Sequence, residues 1–291
     1  MKKINKIAIF YNNFRGYYLF QKLKNEGYQI TKILAKKNLN RKVEKLSRTN
    51  KIIKNLKSKD FLKFIKNESF DLFILAGFPY IFPKKLISIP KFGVINLHGG
   101  KLPKYRGGSP LSWQIINNEK KIGLSIIKIN EKIDEGEIII EKSFKNLKTD
   151  TILEVQKKSF KIFVKLTSDA IKILEKRKKL KKQKKSNSYF FQRSDKDSKI
   201  DWKTNAKDVY NFIRAISYPY KGAYTYFLKN KIRIIKSKIS QNYPKNIKVG
   251  DFFRDSNKSL YVKCKINSIK ILKSEPSVKK LILKNNKKLC V

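Results

Sequence analysis

With 291 residues, 70 Lys and Arg against 22 Asp and Glu, and a formal net charge of +48 at pH 7, the chain can bury a real core and suits two domains better than one. Its two cysteines, Cys264 and Cys290, lack CxxC spacing, which argues against a disulfide framework or a zinc site; no apolar run approaches the roughly 20 residues of a membrane-spanning helix, so a soluble, cytoplasmic protein is expected. The charge would ordinarily point to a polyanion, but it is mostly Lys spread with Asn and Ile through the whole chain, and so reads better as diffuse solvated charge.

Residues 7–11 are a continuous apolar run, the pattern of a buried parallel strand, and 16–26 carry a helical pattern, so the chain opens as a βα unit. The turn between them, Asn12-Asn13-Phe14-Arg15-Gly16, lacks GxGxxG, and no dinucleotide site is expected there. A strand over 28–35, an amphipathic helix over 58–67 and a strand over 70–76 continue the alternation. This predicts an α/β domain with a Rossmann-like, doubly wound, mostly parallel sheet. The aromatic loop Gly77-Phe78-Pro79-Tyr80-Ile81-Phe82-Pro83 follows at a strand's carboxyl end, where open α/β sheets bind their ligands.

A short helix then leads into a β-branched strand ending in Asn96-Leu97-His98 and a glycine-rich loop from Gly99 to Gly108. Asn96 and His98 are two residues apart, so both side chains share one face of the strand. A helix is expected over 110–117, a strand over 122–129, a turn at Asn130-Glu131-Lys132-Ile133-Asp134-Glu135-Gly136, a strand over 138–140, and the longest helix over 151–175. The cationic run 176–185 and the Ser186-Asn187-Ser188 that follows have the composition of an exposed helix end passing into a solvated linker. They divide a catalytic domain, 1–185, from a smaller one, 186–291. In the latter, a helix over 206–216 with Asn205 as its cap precedes short alternating segments at 224–228, 232–235, 260–264 and 269–272, read as a small antiparallel, OB-like β unit.

Three residues stand out chemically. Asn96 can donate to a developing oxyanion, His98 (the chain's single histidine) can pass a proton near neutral pH, and Asp134 can orient an imidazole. Together they suit acyl transfer to an amine. Spacing alone does not show that Asp134 meets His98, and a core histidine and a loop aspartate remain the plainer alternatives. No metal site is suggested.

The stretch Asn96-Leu97-His98-Gly99-Gly100-Lys101-Leu102-Pro103-Lys104-Tyr105-Arg106-Gly107, with Pro110, Trp113, Gly123 and Asp134-Glu135-Gly136-Glu137-Ile138, resembles the signature of the 10-formyltetrahydrofolate-dependent formyltransferases. The resemblance resumes at Ile200-Asp201-Trp202 and at residues 213–223. It implies a catalytic group of Asn96, His98 and Asp134. It also implies 10-formyltetrahydrofolate as cosubstrate, seated against Tyr80, Ile81 and Phe82 and the turn of Asn130, Glu131, Lys132, Ile133 and Asp134. Tyr218-Pro219-Tyr220-Lys221-Gly222-Ala223 and His98-Gly99-Gly100-Lys101-Leu102-Pro103 are similar to the branch acting on nucleotide-linked amino sugars, which implies such a sugar as the amine substrate. Glu135 stands where Thr is common in the family. The alternative substrate is methionyl-tRNA, a homodimer is an open option, and the non-enzyme alternative is a basic nucleic-acid-binding protein using the run 176–185 and the C-terminal β unit.

Overall fold

A computed structural model describes residues 3–47, 51–227 and 229–278. The first strand, β1 (Lys6–Tyr11), is fully buried from Ile7 to Tyr11. Helix α1 (Phe14–Asn25) follows at once: Asn13 caps it by accepting from the Arg15 N–H, and its Leu19, Phe20 and Leu23 face the interior. Strand β2 (Gln29–Ala35), helix α2 (Arg41–Ser47) and the three-residue β3 (Lys51–Ile53) come next. Helix α3 (Lys59–Asn67) begins at Ser58, whose hydroxyl accepts from the Phe61 N–H at 3.4 Å, and buries Phe61 and Ile65 one turn apart. Then come β4 (Leu72–Ala76), buried throughout, the short α4 (Lys84–Ile87) and β5 (Val94–His98). The chain continues through β6 (Arg106–Gly107), α5 (Pro110–Ile116), β7 (Lys121–Lys128), β8 (Glu137–Lys145), the long α6 (Ile152–Glu175) and β9 (Tyr189–Phe190).

Seven strands form one sheet in the order β3-β2-β1-β4-β5-β7-β8. The run from β3 to β5 is parallel, and β7 turns the direction by pairing antiparallel with β5. From β1 the chain steps outward to β2, then returns to the other side at β4. That reversal opens a crevice beyond the strands' carboxyl ends. Phe10, Phe61, Phe70, Phe73 and Phe82 are packed into one cluster beneath the crevice, Phe10 and Phe82 edge to face at 4.8 Å. The expected mostly parallel, doubly wound sheet is the one found.

The second sheet belongs to the C-terminal part. Helix α7 (Ala206–Ala215) precedes β10 (Ala223–Phe227), β11 (Asn230–Ser240), β12 (Phe252–Arg254), β13 (Leu260–Lys263) and β14 (Ser268–Glu275). They form an antiparallel sheet in the order β10-β11-β14-β13-β12. The segment 224–228 ends at Leu228, which lies outside the described residues, as does Cys290. Asn205 occupies the cap position of α7 without a side-chain capping bond; its buried Oδ1 has no partner, so its amide does not do the work expected of it. Arg214 on α7, 5% exposed, donates to Asn146 Oδ1 and to the carbonyls of Leu147 and Asp150, and burial holds its guanidinium below the usual range.

By packing, the chain divides into one unit of 1–110, 123–144 and 157–190 and another of 111–122, 145–156 and 191–291. The cations of the run 176–185 are exposed, as expected of a solvated segment, but its backbone is held in place. Helix α6 ends at Glu175, and Lys181 exchanges two backbone hydrogen bonds with Ile138, at 2.8 and 3.1 Å. Further on, β9 pairs in parallel with β6. The segment is a strap held within the first unit by these backbone bonds, by the Gln183 amide and by the Lys181 pair with Glu141 at 3.1 Å. No helix among the described residues is long and apolar enough to cross a membrane.

Candidate active site

The site is built at the carboxyl end of β5. Val94 and Ile95 are fully buried and fix the strand between β4 and β7, in register Leu75↔Asn96 and His98↔Ser125. Period two then places Asn96 and His98 on a common face. The loop after β5 doubles back over the imidazole. Ser125 on β7, completely buried, pins that loop by donating to the Gly100 carbonyl at 2.8 Å and accepting from the Leu102 N–H at 3.3 Å. The carbonyl of Tyr105 lies 2.6 Å from His98 Nε2. Gly100 is required by this closure: a Cβ there would sit 2.6 Å from the Tyr105 oxygen and 2.7 Å from His98 Nε2.

Asp134 arrives from the turn between β7 and β8 in a left-handed conformation, φ 54°, which Asp tolerates better than most residues. Gly136 lets the turn press against β7, since a Cβ there would overlap the Lys128 carbonyl. Asp134 Oδ2 accepts the Gly107 N–H at 2.9 Å and lies 3.4 Å from His98 Nδ1. Asn96 donates to Asp134 Oδ1 at 3.4 Å. The structure thus brings all three residues together, with the His98 side chain 5% and that of Asp134 11% exposed. In so shielded a place a charge or a hydrogen bond acts more strongly than in water.

Beside them is a cavity of about 140 Å³ lined by Leu75, Phe78, Ile129 and Asn96 together with eight further residues: Tyr80, Ile81, Phe82, Asn130, Glu131, Lys132, Ile133 and Asp134. These eight are the residues marked in the sequence as cofactor contacts, so the loop 80–82 and the turn 130–134 face one space. They are not equivalent. Phe82 is 6% exposed and belongs to the core, whereas Ile81 is 75% exposed. The Tyr80 hydroxyl donates to the Lys54 carbonyl at 2.7 Å, and Lys84 pairs with Glu131 at 2.8 Å on the open rim. His98 does not line this cavity and meets it through Asp134. Among the described residues no group of three or more His, Cys, Asp or Glu is placed to hold a metal ion.

Residues 22–171 match the formyl transferase family model and residues 192–285 the model of the formyl transferase C-terminal domain. The chain belongs to the formyltransferase family. It is 35% identical over 241 residues to the bifunctional polymyxin resistance protein ArnA of Wigglesworthia glossinidia brevipalpis, covering 81% of this chain but only 35% of that protein. It is 31% identical over 229 residues to the methionyl-tRNA formyltransferase of Fusobacterium nucleatum, covering 78% of this chain and 74% of that one. In fold it is similar to WlaRD, a sugar 3N-formyl transferase crystallised in the presence of dTDP and 5-N-formyl-THF, with a TM-score of 0.69 and 24% identity over 94% of this chain and all of that one. It is likewise similar to the N-formyltransferase of Helicobacter canadensis in complex with folinic acid and dTDP-3-aminofucose, with a TM-score of 0.68 and 21% identity over 92% of this chain and 98% of that one.

Two parts of this candidate site are not legible in the sequence. Leu75, Phe78 and Ile129 line the cavity but are not among the contacts that the resemblance implies. Arg106 and Gln183 contact the turn that carries Asp134, and the only hint of the latter is a lone amide inside a run of lysines.

Proposed function

We propose that this formyltransferase transfers the formyl group of 10-formyltetrahydrofolate to the primary amine of a nucleotide-linked amino sugar. The observation that carries the reading is the meeting of Asn96, His98 and Asp134 within 3.4 Å beside a cavity shared by the loop 80–82 and the turn 130–134. A volume of about 140 Å³ is below the roughly 300–1,000 Å³ of a whole ligand pocket. It suits a flat ring system against Phe78 and Tyr80, with the rest of the cosubstrate outside.

The cosubstrate supplies an activated carbonyl carbon, and the chain's residues do the rest. Asn96 lines the cavity and presents an amide N–H where negative charge develops as the amine attacks; a single donor of this kind has been worth roughly 2.7–4 kcal/mol where tested. The proton leaving the amine passes to the His98–Asp134 pair and returns to the leaving nitrogen. Asp134, fixed by the Gly107 N–H, keeps the ring aligned for that exchange.

An amino sugar is supported by the similarity of residues 98–103 and 218–223 to the sugar branch. Methionyl-tRNA is the second reading, favoured by the likeness to methionyl-tRNA formyltransferases and by the +48 charge. Diffuse lysine raises the local concentration of any anion, nucleotide sugars and folate included, and does not choose among them. A purely nucleic-acid-binding protein would have no use for the Asn96, His98 and Asp134 arrangement. Side-by-side assays at physiological ionic strength separate the readings, using a panel of dTDP-, UDP- and GDP-linked amino sugars and aminoacylated initiator tRNA, read by the mass gain of a formyl group. Transfer to at least one sugar and none to tRNA is expected. Formylation of methionyl-tRNA with no transfer to any sugar overturns the substrate assignment.

A further inference from the structure

We propose that Gln183 is a positioning residue for formyl transfer: from the strap 176–190, it locks the turn that carries Asp134. This rests on the reading of Asp134 as a member of the catalytic group.

The amide of Gln183 is used completely. Its Nε2 donates to the Asp134 carbonyl and to the Gly136 carbonyl, each at 2.7 Å. Its Oε1 accepts from Arg106 Nε at 3.2 Å and Arg106 Nη2 at 2.9 Å. Two donors and two lone pairs are all that a primary amide has. The orientation is also unambiguous, because carbonyls only accept and a guanidinium only donates.

The two carbonyls flank Glu135, so the amide spans the part of the turn where Asp134 holds its left-handed φ of 54°. Arg106, 6% exposed, reaches back to the strap through Nη1 and the Ser186 carbonyl at 3.1 Å and to Glu135 at 3.5 Å. Next to Arg106 is Gly107, whose N–H holds Asp134 Oδ2. The result is a closed circuit: the strap amide fixes the backbone of Asp134, and through Arg106 it fixes the residue that orients the Asp134 carboxylate. Gln183 does not line the cavity. The backbone pairing of Lys181 with Ile138 sets the register that brings Gln183, and not a neighbouring lysine, under the turn. A lysine there has no acceptor to offer Arg106 and would bring a second cation against a buried guanidinium.

The two halves of the amide can be separated. Gln183→Glu keeps acceptors for Arg106 and removes both donors to the turn, whereas Gln183→Ala removes everything. Misplacement of a reacting group by about 1 Å can cost on the order of 100-fold in rate. Gln183→Glu is therefore expected to lower kcat about 10- to 100-fold with KM for the amine within about two-fold. Gln183→Ala is expected to lose kcat similarly and to melt lower as well. Gln183→Glu in an Asp134→Ala background should add no further loss, since residues acting through one another are not additive. With a single histidine in the sequence, the imidazole ¹⁵N resonances of the untagged protein report this site alone, and they should move in Gln183→Glu. Parental kcat in Gln183→Glu while Asp134→Ala is slow overturns the proposal and spares Asp134. So does an additive loss with unmoved ring resonances. Full activity in Asp134→Ala overturns the reading of Asp134 and this proposal with it.

Discussion

Gly100→Ala tests the geometry around His98 without replacing a reacting group. The new Cβ would lie 2.6 Å from the Tyr105 carbonyl oxygen and 2.7 Å from His98 Nε2, the two ends of the hydrogen bond that holds the ring. Ordinary contact begins at 3.4 Å, so both atoms must retreat by roughly 0.7–0.8 Å, and neither can do so freely. Tyr105 is 1% exposed and its carbonyl belongs to backbone, while the loop is pinned from below by Ser125. Overpacking of this kind costs about 1–3 kcal/mol. For a chain of this size, that is a fall in melting temperature of roughly 2–10 °C. A displacement of this size at a proton-transfer residue is expected to lower turnover by about one to two orders of magnitude. Differential scanning fluorimetry and formyl transfer on one preparation measure the two effects. Parental melting and parental turnover together would refute the argument that the glycine makes room for the ring.

Asp134→Asn should fold and turn over at least about 10-fold slower, because an amide cannot serve the Gly107 N–H, Asn96 and His98 as two carboxylate oxygens do; single-turnover rates on folded protein check it. Gly136→Ala should destabilise by more than Gly100→Ala, since its Cβ overlaps the Lys128 carbonyl and two backbone segments must part; thermal melts of the two variants decide. Burial pushes the Cys264 thiol up to about 12, so native protein at pH 8 should leave Cys264 unalkylated, with labelling appearing in denaturant, as peptide mapping would show. The Arg233 fork on Asp195, two bonds of 2.9 Å, holds that carboxyl below its usual range. Its contribution is therefore present above the unfolded value and is lost as pH falls through the folded one. Chemical denaturation should find Asp195→Asn less stable than the parent at neutral pH, with the gap closing in acid.

The sheet was legible in the sequence because its strands carry recognisable patterns: 7–11 and 70–76 are largely apolar, and 122–129 shows alternation at Leu124 and Ile126. The strand 94–98 was legible for a second reason, the pairing of Asn96 with the sole histidine at period two. What composition could not supply is the conjunction of Asp134 with that strand. The conjunction depends on a left-handed φ, on a glycine with no room for a Cβ, and on a backbone N–H offered by Gly107, none of which has a periodicity. The attachment of the strap is illegible for a related reason. Eight cations among ten residues hide the one side chain, Gln183, whose amide matches two carbonyls and a guanidinium. Strands of two or three residues, such as β3, β6, β9 and β12, are too short to alternate at all and were passed over.

The most direct test of the account is the single-turnover rate of formyl transfer in His98→Asn, with saturating 10-formyltetrahydrofolate and amine substrate, set beside folate affinity on the same protein. A positioned acid or base contributes roughly 100- to 10,000-fold, so the rate should fall at least about 100-fold while folate affinity and the melting temperature stay near the parent's. A folded His98→Asn protein that transfers formyl at the parental single-turnover rate would contradict the role of His98 and the catalytic group built around it.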